Sequence, residues 1–155
     1  MSFPFADVVA RLSSLSSAII DTSSLIYLSK INCLPLLIRA CKLFTIPDVT
    51  EEFGNDIDGI AIIKDSVDTM ETDQKLIQIC ITNKLPLISE DRKLLREAER
   101  YNLPYYNSLM ILNFLLVKKK IRRKEYASLL EKLKSVARYG KDVWKFGELV
   151  HSFAG

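Results

Sequence analysis

Two apolar runs in this chain break off directly into carboxylates, and that constrains the fold more than any other feature. Ala18-Ile19-Ile20 runs into Asp21, and Leu85-Pro86-Leu87-Ile88-Ser89 runs into Glu90-Asp91. Runs this short and this apolar have the character of buried strands. In open α/β sheets the carboxyl ends of the strands face the crevice where ligands bind. An acid at such an end is therefore a site candidate. Its competing structural duty is capping, because Asp21 or Thr22 before the helical stretch Leu25–Lys30 also suits an N-cap.

Helical patterns alternate with these runs. Phe5, Val8, Val9 and Leu12 give a loose helical spacing, and Ser13–Ser17 reads as a connector. After the strand Ala18–Asp21 come two short helices, the second opened by Pro35. A strand at Leu43–Ile46 follows. A weak strand is expected near Ala61–Ile63 or Ser66–Val67. Leu76, Ile77, Cys80 and Ile81 form the stripe of a helix from Thr72 to about Asn83. Leu85–Ser89 and Leu103–Tyr106 complete the strands, with an amphipathic helix over Arg92–Tyr101 between them. Ser108 is placed to cap the strongly apolar helix Leu109–Val117. Two helices close the chain, one ending near Gly140 and one over Asp142–Val150. This order predicts a three-layer α/β/α sandwich around a central, mainly parallel sheet of four to five strands, Rossmann-like in kind. Residues 1–17 read as an N-terminal extension and 18–155 as a single domain that includes the basic C-terminal helices.

Apolar residues make up 48% of the 155 and charged ones 26%, ordinary values for a soluble globular protein. No stretch approaches the roughly 20 apolar residues of a spanning helix, and Met1–Ser17 lacks the pattern of a secretory signal. Cys33, Cys41 and Cys80 stand apart without metal-ligand spacing, which fits core residues in a reducing cytoplasm. The net charge of +3 is unevenly spread: residues 1–117 carry −4 and residues 118–155 carry +7. An acidic body with a basic tail suits a protein that binds an anion beside carboxylates, although a basic run is more often a solvated helix face.

Further acids stand at helix starts. Asp48-Val49-Thr50-Glu51 has capping-box spacing, which gives Glu51 a structural duty. Glu52, next to Phe53, has none and is preferred as the functional carboxylate. Asp73 lies in the first turn of its helix, where the dipole favours an acid in any case. Strand ends and the following helix starts share one edge of an alternating sheet, so Asp21, Glu52, Asp73 and Asp91 can converge there. Carboxylates crowded without a counter-charge raise one another's pKa. A hard divalent cation, Mg²⁺ or Mn²⁺, relieves that conflict and serves phosphodiester hydrolysis. No nucleophile motif or phosphate-binding loop competes. Gly54–Gly59 lacks the spacing of a calcium loop, and His151, the lone histidine, reads as a bystander.

In these segments the sequence resembles the PIN domains, metal-dependent ribonucleases of Rossmann-like α/β/α fold. The likeness runs over about Ala18–Ile121. "IIDTSSLIYLSKINCLPLL" is similar to the family's opening strand and helix, and "LFTIPDVTEEF" to its second strand and acid-bearing helix. "TDQKLIQICITNKLPLISEDRKLL" resembles the stretch with its third and fourth acids, and "YNLPYYNSLMILNFLLVKKKI" its closing strand and helix. The resemblance implies that Asp21, Asp73 and Asp91 bind metal and that Glu52 binds it or orients the attacking water. Ser23 matches the small hydroxyl near the first acid. Glu90 departs from the pattern, where Asp or Asn is frequent, and Asn107-Ser108 stand where a further acid or hydroxyl is found.

The function expected is therefore a divalent-metal-dependent endoribonuclease acting on single-stranded RNA, as in the toxin of a toxin–antitoxin pair. Ser23, Asn107, Ser108 and the basic residues Lys118, Lys119 and Lys120 are the expected substrate contacts. By the same resemblance the expected partners are RNA, an antitoxin protein and a second copy of the chain, paired through the apolar helices over Leu25–Cys41. The alternative is a catalytically weak or inactive PIN-like module that binds RNA or protein through the same face. A phospho-acceptor signalling domain also gathers acids at strand ends, but it needs an acidic pair after the first strand, where Ile20 precedes Asp21.

Overall fold

A computed structural model of the chain describes residues 5–64 and 70–154. The elements run α1 (Phe5–Ser14), β1 (Ser17–Ile20), α2 (Thr22–Lys30), α3 (Leu34–Ala40), β2 (Lys42–Thr45), α4 (Pro47–Phe53) and β3 (Ile60–Ile62). They continue α5 (Thr72–Asn83), β4 (Leu87–Ile88), α6 (Arg92–Arg100), β5 (Tyr105–Tyr106), α7 (Ser108–Val117), α8 (Arg123–Val136) and α9 (Lys141–Ala154). The weak strand falls at the first of its two expected positions. Ser66–Val67 lies outside the described residues.

The five strands form one sheet in the order β3-β2-β1-β4-β5. Every neighbouring pair is parallel. Parallel neighbours need crossovers, and these are the helices. The chain steps from β1 outward to β2 and β3, then returns across the sheet to β4 and β5. Right-handed crossovers in opposite directions put helices on opposite faces. Accordingly α2, α3 and α7 pack together with α1, α8 and α9 against them, while α5 pairs with α6. The α/β architecture expected from the alternation is the one observed, with all five strands parallel.

The core explains why these segments fold as they do. Ala18, Ile19 and Ile20 are fully buried, as a central strand covered on both faces must be. α7 is buried over Ser108–Leu116, which accounts for its lack of a polar side. α1 joins the same core through Val8 and Leu12, and Leu15 follows just after it. Leu25, Leu28, Leu34 and Leu37 belong to it as well, so the apolar side of Leu25–Cys41, expected at a dimer interface, faces inward. The three cysteines are free and buried, and burial pushes the Cys33 and Cys80 thiols up to about 12. Among the described residues no helix is long and apolar enough to cross a membrane.

Two caps differ from the sequence expectation. Pro47 occupies the first turn of α4 with Ile46 as N-cap, so Asp48 lies inside the helix and no capping box with Glu51 forms. Proline's fixed φ suits that first helical position. At α7 the cap is Asn107, whose Oδ1 accepts from Met110 N at 2.8 Å, and Ser108 is already helical.

Candidate functional site

β1 and β4 are neighbours whose following crossovers leave in opposite directions. Their carboxyl ends therefore bound the switch-point crevice of this sheet. Asp21 N donates to Ile88 O at 2.9 Å, which carries the pairing one residue past the strands and fixes Asp21 against Ser89. Asp21 is 8% exposed. Its Oδ2 accepts from the Ser89 hydroxyl at 2.9 Å and from the Ser23 hydroxyl at 3.1 Å. The Ser89 hydroxyl in turn accepts from Asp91 N at 3.0 Å. One serine thus ties the acid of β1 to the acid after β4.

Asp91 N-caps α6, with Oδ1 accepting from Lys93 N and Leu94 N at 2.9 and 3.3 Å. Asp73 lies in the first turn of α5, and Glu52 near the end of α4. These four carboxylates, from four separate segments, line one cleft of about 220 Å³ together with Thr22, Ser23, Ile26 and Thr72. Glu51 is exposed and is not part of that lining. A larger hollow of about 400 Å³ between α5 and α6 shares Asp73 and is also lined by Glu71, Glu97, Lys93, Ile77, Ile81 and Tyr101. The smaller cleft is the one that gathers Asp21, Glu52, Asp73 and Asp91.

The electrostatics match the crowding. Burial raises the Asp73 carboxyl above its ordinary 3.8, and the charges of Asp91 and Asp21 raise it further, with Lys93 opposing. A cation in the cleft would relieve that repulsion. All the polar groups on offer are hard oxygen donors, the kind Mg²⁺ and Mn²⁺ take. Thr22 Oγ1 is buried with no hydrogen-bond partner, an orphan beside the first acid that a bound ion or its water would satisfy. Among the described residues no group of three or more His, Cys, Asp or Glu side chains is arranged to hold a metal ion. Magnesium takes one or two carboxylates and keeps several waters, so the donor set fits that ion without such a cluster.

Other expected residues do different work. Ser108 is fully buried, and its N–H and hydroxyl both donate to Glu90. Asn107 serves as the α7 cap. Lys118, Lys119 and Lys120 are exposed just beyond the end of α7. That helix starts at the carboxyl edge and, at 1.5 Å per residue, its 10 residues carry the chain about 15 Å away. The structure does not bring these lysines to the cleft.

Two polar centres were not visible in sequence. Lys75 is 8% exposed and donates to both Asp48 oxygens at 3.0 and 3.2 Å, while the Thr72 hydroxyl donates to Asp48 Oδ2. The Lys75 ammonium holds the Asp48 carboxyl below its usual range against the opposing pull of burial. Glu90 accepts from Ser24 of α2, Ser108 of α7 and Tyr139 of the α8–α9 connection, and its N–H donates to Ser23 Oγ at 3.0 Å. Burial and the neighbouring Glu90 push the Tyr139 phenol far up, so it stays a donor. His151 stacks on Tyr126 at 4.3 Å and takes no part in the cleft. Ser89 had a readable signal in hindsight: it is the small hydroxyl beside the second acid, as Thr22 and Ser23 are beside the first.

Fold and cleft together define an α/β protein with an acidic pocket at the switch point of an all-parallel sheet. No protein-family model matches the chain, and neither does any curated protein sequence. Among solved structures, a PilT N-terminus domain protein from the archaeon Sulfolobus solfataricus is similar at 14% identity and a TM-score of 0.43. The match covers 80% of this chain and 97% of that one.

Proposed function

We propose that this protein is a divalent-metal-dependent endoribonuclease that hydrolyses phosphodiester bonds of single-stranded RNA. The observation that carries the reading is the shared cleft: Asp21, Glu52, Asp73 and Asp91 come from four segments and line one pocket. Asp21, Asp73 and Asp91 are assigned to hold Mg²⁺ or Mn²⁺, one or two of them directly and the rest through its bound waters, and Glu52 to hold it or to orient the attacking water. A divalent ion bound there supplies an acidified water and charge neutralisation at the leaving oxygen. The chain's own residues set the geometry. Ser89 and Ser23 fix Asp21 through Oδ2, and the α6 cap fixes Asp91 through Oδ1. Each acid is held by one oxygen, a preorganised arrangement. Glu52 is exposed and lines the same cleft. The sequence resemblance to PIN domains supports the same assignment, including the toxin role.

Cleavage of single-stranded RNA is measured with Mg²⁺, Mn²⁺ and EDTA, for the wild type and Asp21→Asn. Activity that needs the ion and falls at least 100-fold in the variant is expected. Cleavage that survives both EDTA and the substitution rules the mechanism out. Binding of RNA with no cleavage under any ion supports the second reading, a non-catalytic binding module.

A further inference from the structure

The cleft is an obstacle to its proposed substrate. Four carboxylates repel a polyanion, and the body of the chain carries −4 through residue 117. Binding a nucleic-acid strand there requires cations at the rim. The surplus of +7 lies in residues 118–155, and its densest run, Lys118–Lys124, sits beyond the far end of α7. The tail does come back. α8 runs from Arg123 to Val136, packs on α7 and α2, and delivers residues 137–140 to the carboxyl edge.

That return is fastened by named bonds. The Tyr139 hydroxyl donates to Glu90, the residue between Ser89 and Asp91. Arg138 N donates to the Tyr27 hydroxyl at 3.4 Å, one turn along α2 from Ser23. Tyr139 meets the Tyr27 ring edge-on at 6.2 Å and the Trp144 ring at 5.0 Å. Both Ser23 and Ile26, the residues of α2 flanking this contact, line the cleft. The Arg138 side chain itself is exposed, and among the described residues it forms no ion pair, whereas Lys134 is paired with Glu131. Its backbone is pinned and its guanidinium is left open, with donors in the fork geometry that suits phosphate.

We infer that Arg138 contacts a backbone phosphate of an RNA strand entering the cleft, and that the Tyr139–Glu90 hydrogen bond is the device that holds it there. The inference rests on the ribonuclease reading for its substrate class. Glu90 and Tyr139 are positioning residues in it: they touch neither metal nor RNA. Glu90 stands where the resembling family has Asp or Asn. Its longer side chain reaches Ser24, Ser108 and Tyr139 at once.

The test is the salt dependence of binding to a fluorescein-labelled single-stranded oligoribonucleotide, read by anisotropy in EDTA and in Mg²⁺. It compares the full chain with Arg138→Gln, Lys119→Gln and Tyr139→Phe, alongside KM and kcat for cleavage. Loss of one phosphate contact flattens the plot of log K against log salt by about 0.7 for a single strand. Arg138→Gln is expected to show that flattening and a several-fold rise in KM with kcat little changed. Lys119→Gln, which removes the same charge at the other edge, is expected to keep the wild-type slope. Tyr139→Phe shifts slope and KM in the direction of Arg138→Gln while leaving the melting temperature within a few degrees. A wild-type slope and KM in Arg138→Gln, or an equal loss from Lys119→Gln, overturns the inference. If RNA binds with an Arg138-dependent slope but no ion supports cleavage, the inference stands and the ribonuclease reading falls.

Discussion

Asp73 shows at the scale of one side chain what the cleft costs the fold. Its carboxyl is raised by burial first, then by Asp91, Asp21 and Glu71, with Lys93 pulling the other way. A group whose folded pKa lies above its unfolded one adds stability below the unfolded value and loses it as pH rises through the folded value. At neutral pH without metal, ionised Asp73 is therefore a net burden. Asp73→Asn removes the charge and keeps the shape. The metal-free variant should melt higher than wild type at pH 7, by on the order of 1–3 °C, given about 2–4 °C per kcal/mol for a domain of this size. The advantage should vanish at pH 3, where Asp73 is protonated anyway. Thermal melts in EDTA at the two pH values decide it, and a lower neutral-pH melt for the variant contradicts the electrostatic account. In wild type the same shift means that ion binding must expel a proton, so affinity for Mn²⁺ should begin to fall on acidification above pH 3.8.

Between elements, the ion pair of Asp48 with Lys75 does for α4 and α5 what Ser89 does for the two strands. It fixes the helix that carries Glu52 against the helix that carries Asp73. Asp48→Asn leaves a largely buried ammonium without its counter-charge, and a loss on the order of 1–3 kcal/mol follows, discounted because Asp48 is partly exposed. The pKa of Asp48 is depressed, so its contribution is complete above 3.8 and is lost as pH falls below that through the folded value. Urea unfolding of wild type and variant should accordingly differ at pH 7 and converge toward pH 2–3. A constant difference across that range would place the effect in packing instead. This pair also marks where the sequence stops being legible. Asp48 in a DxxE spacing looks like a local cap, and only a contact 27 residues along the chain reveals its use. The strands and the four acids could be read, because period, burial and strand-end position are local signals. The Glu90 network could not, since its partners Ser24, Ser108 and Tyr139 come from three distant elements. The separation of Lys118–Lys120 from the cleft has a simpler cause. A helix starting at the carboxyl edge must end away from it, and the 10 residues of α7 span about 15 Å.

For the molecule as a whole, the parallel sheet with its reversal between β1 and β4 builds the pocket before any ligand is present. The ordering cost is met by a core that runs from Leu12 in α1 to Val150 in α9. Binding a divalent ion to such a preformed site should stabilise the entire fold, because the ion favours the native state alone. At 100 times the dissociation constant that linkage is about 2.7 kcal/mol, which corresponds to roughly 5–11 °C in a domain of this size. Mn²⁺ and Mg²⁺ should therefore raise the melting temperature in a saturable way, and EDTA should reverse it. Asp21→Asn should lose most of the shift while its metal-free melt stays close to wild type, since Asn can still accept from Ser89 and Ser23. Ca²⁺, larger and less demanding of geometry, offers a control for simple charge screening: an equal shift with Ca²⁺, retained in Asp21→Asn, would reduce the effect to diffuse neutralisation of an acidic patch. No shift with either Mg²⁺ or Mn²⁺ would leave the four carboxylates without the partner that their convergence calls for, whatever RNA the protein binds.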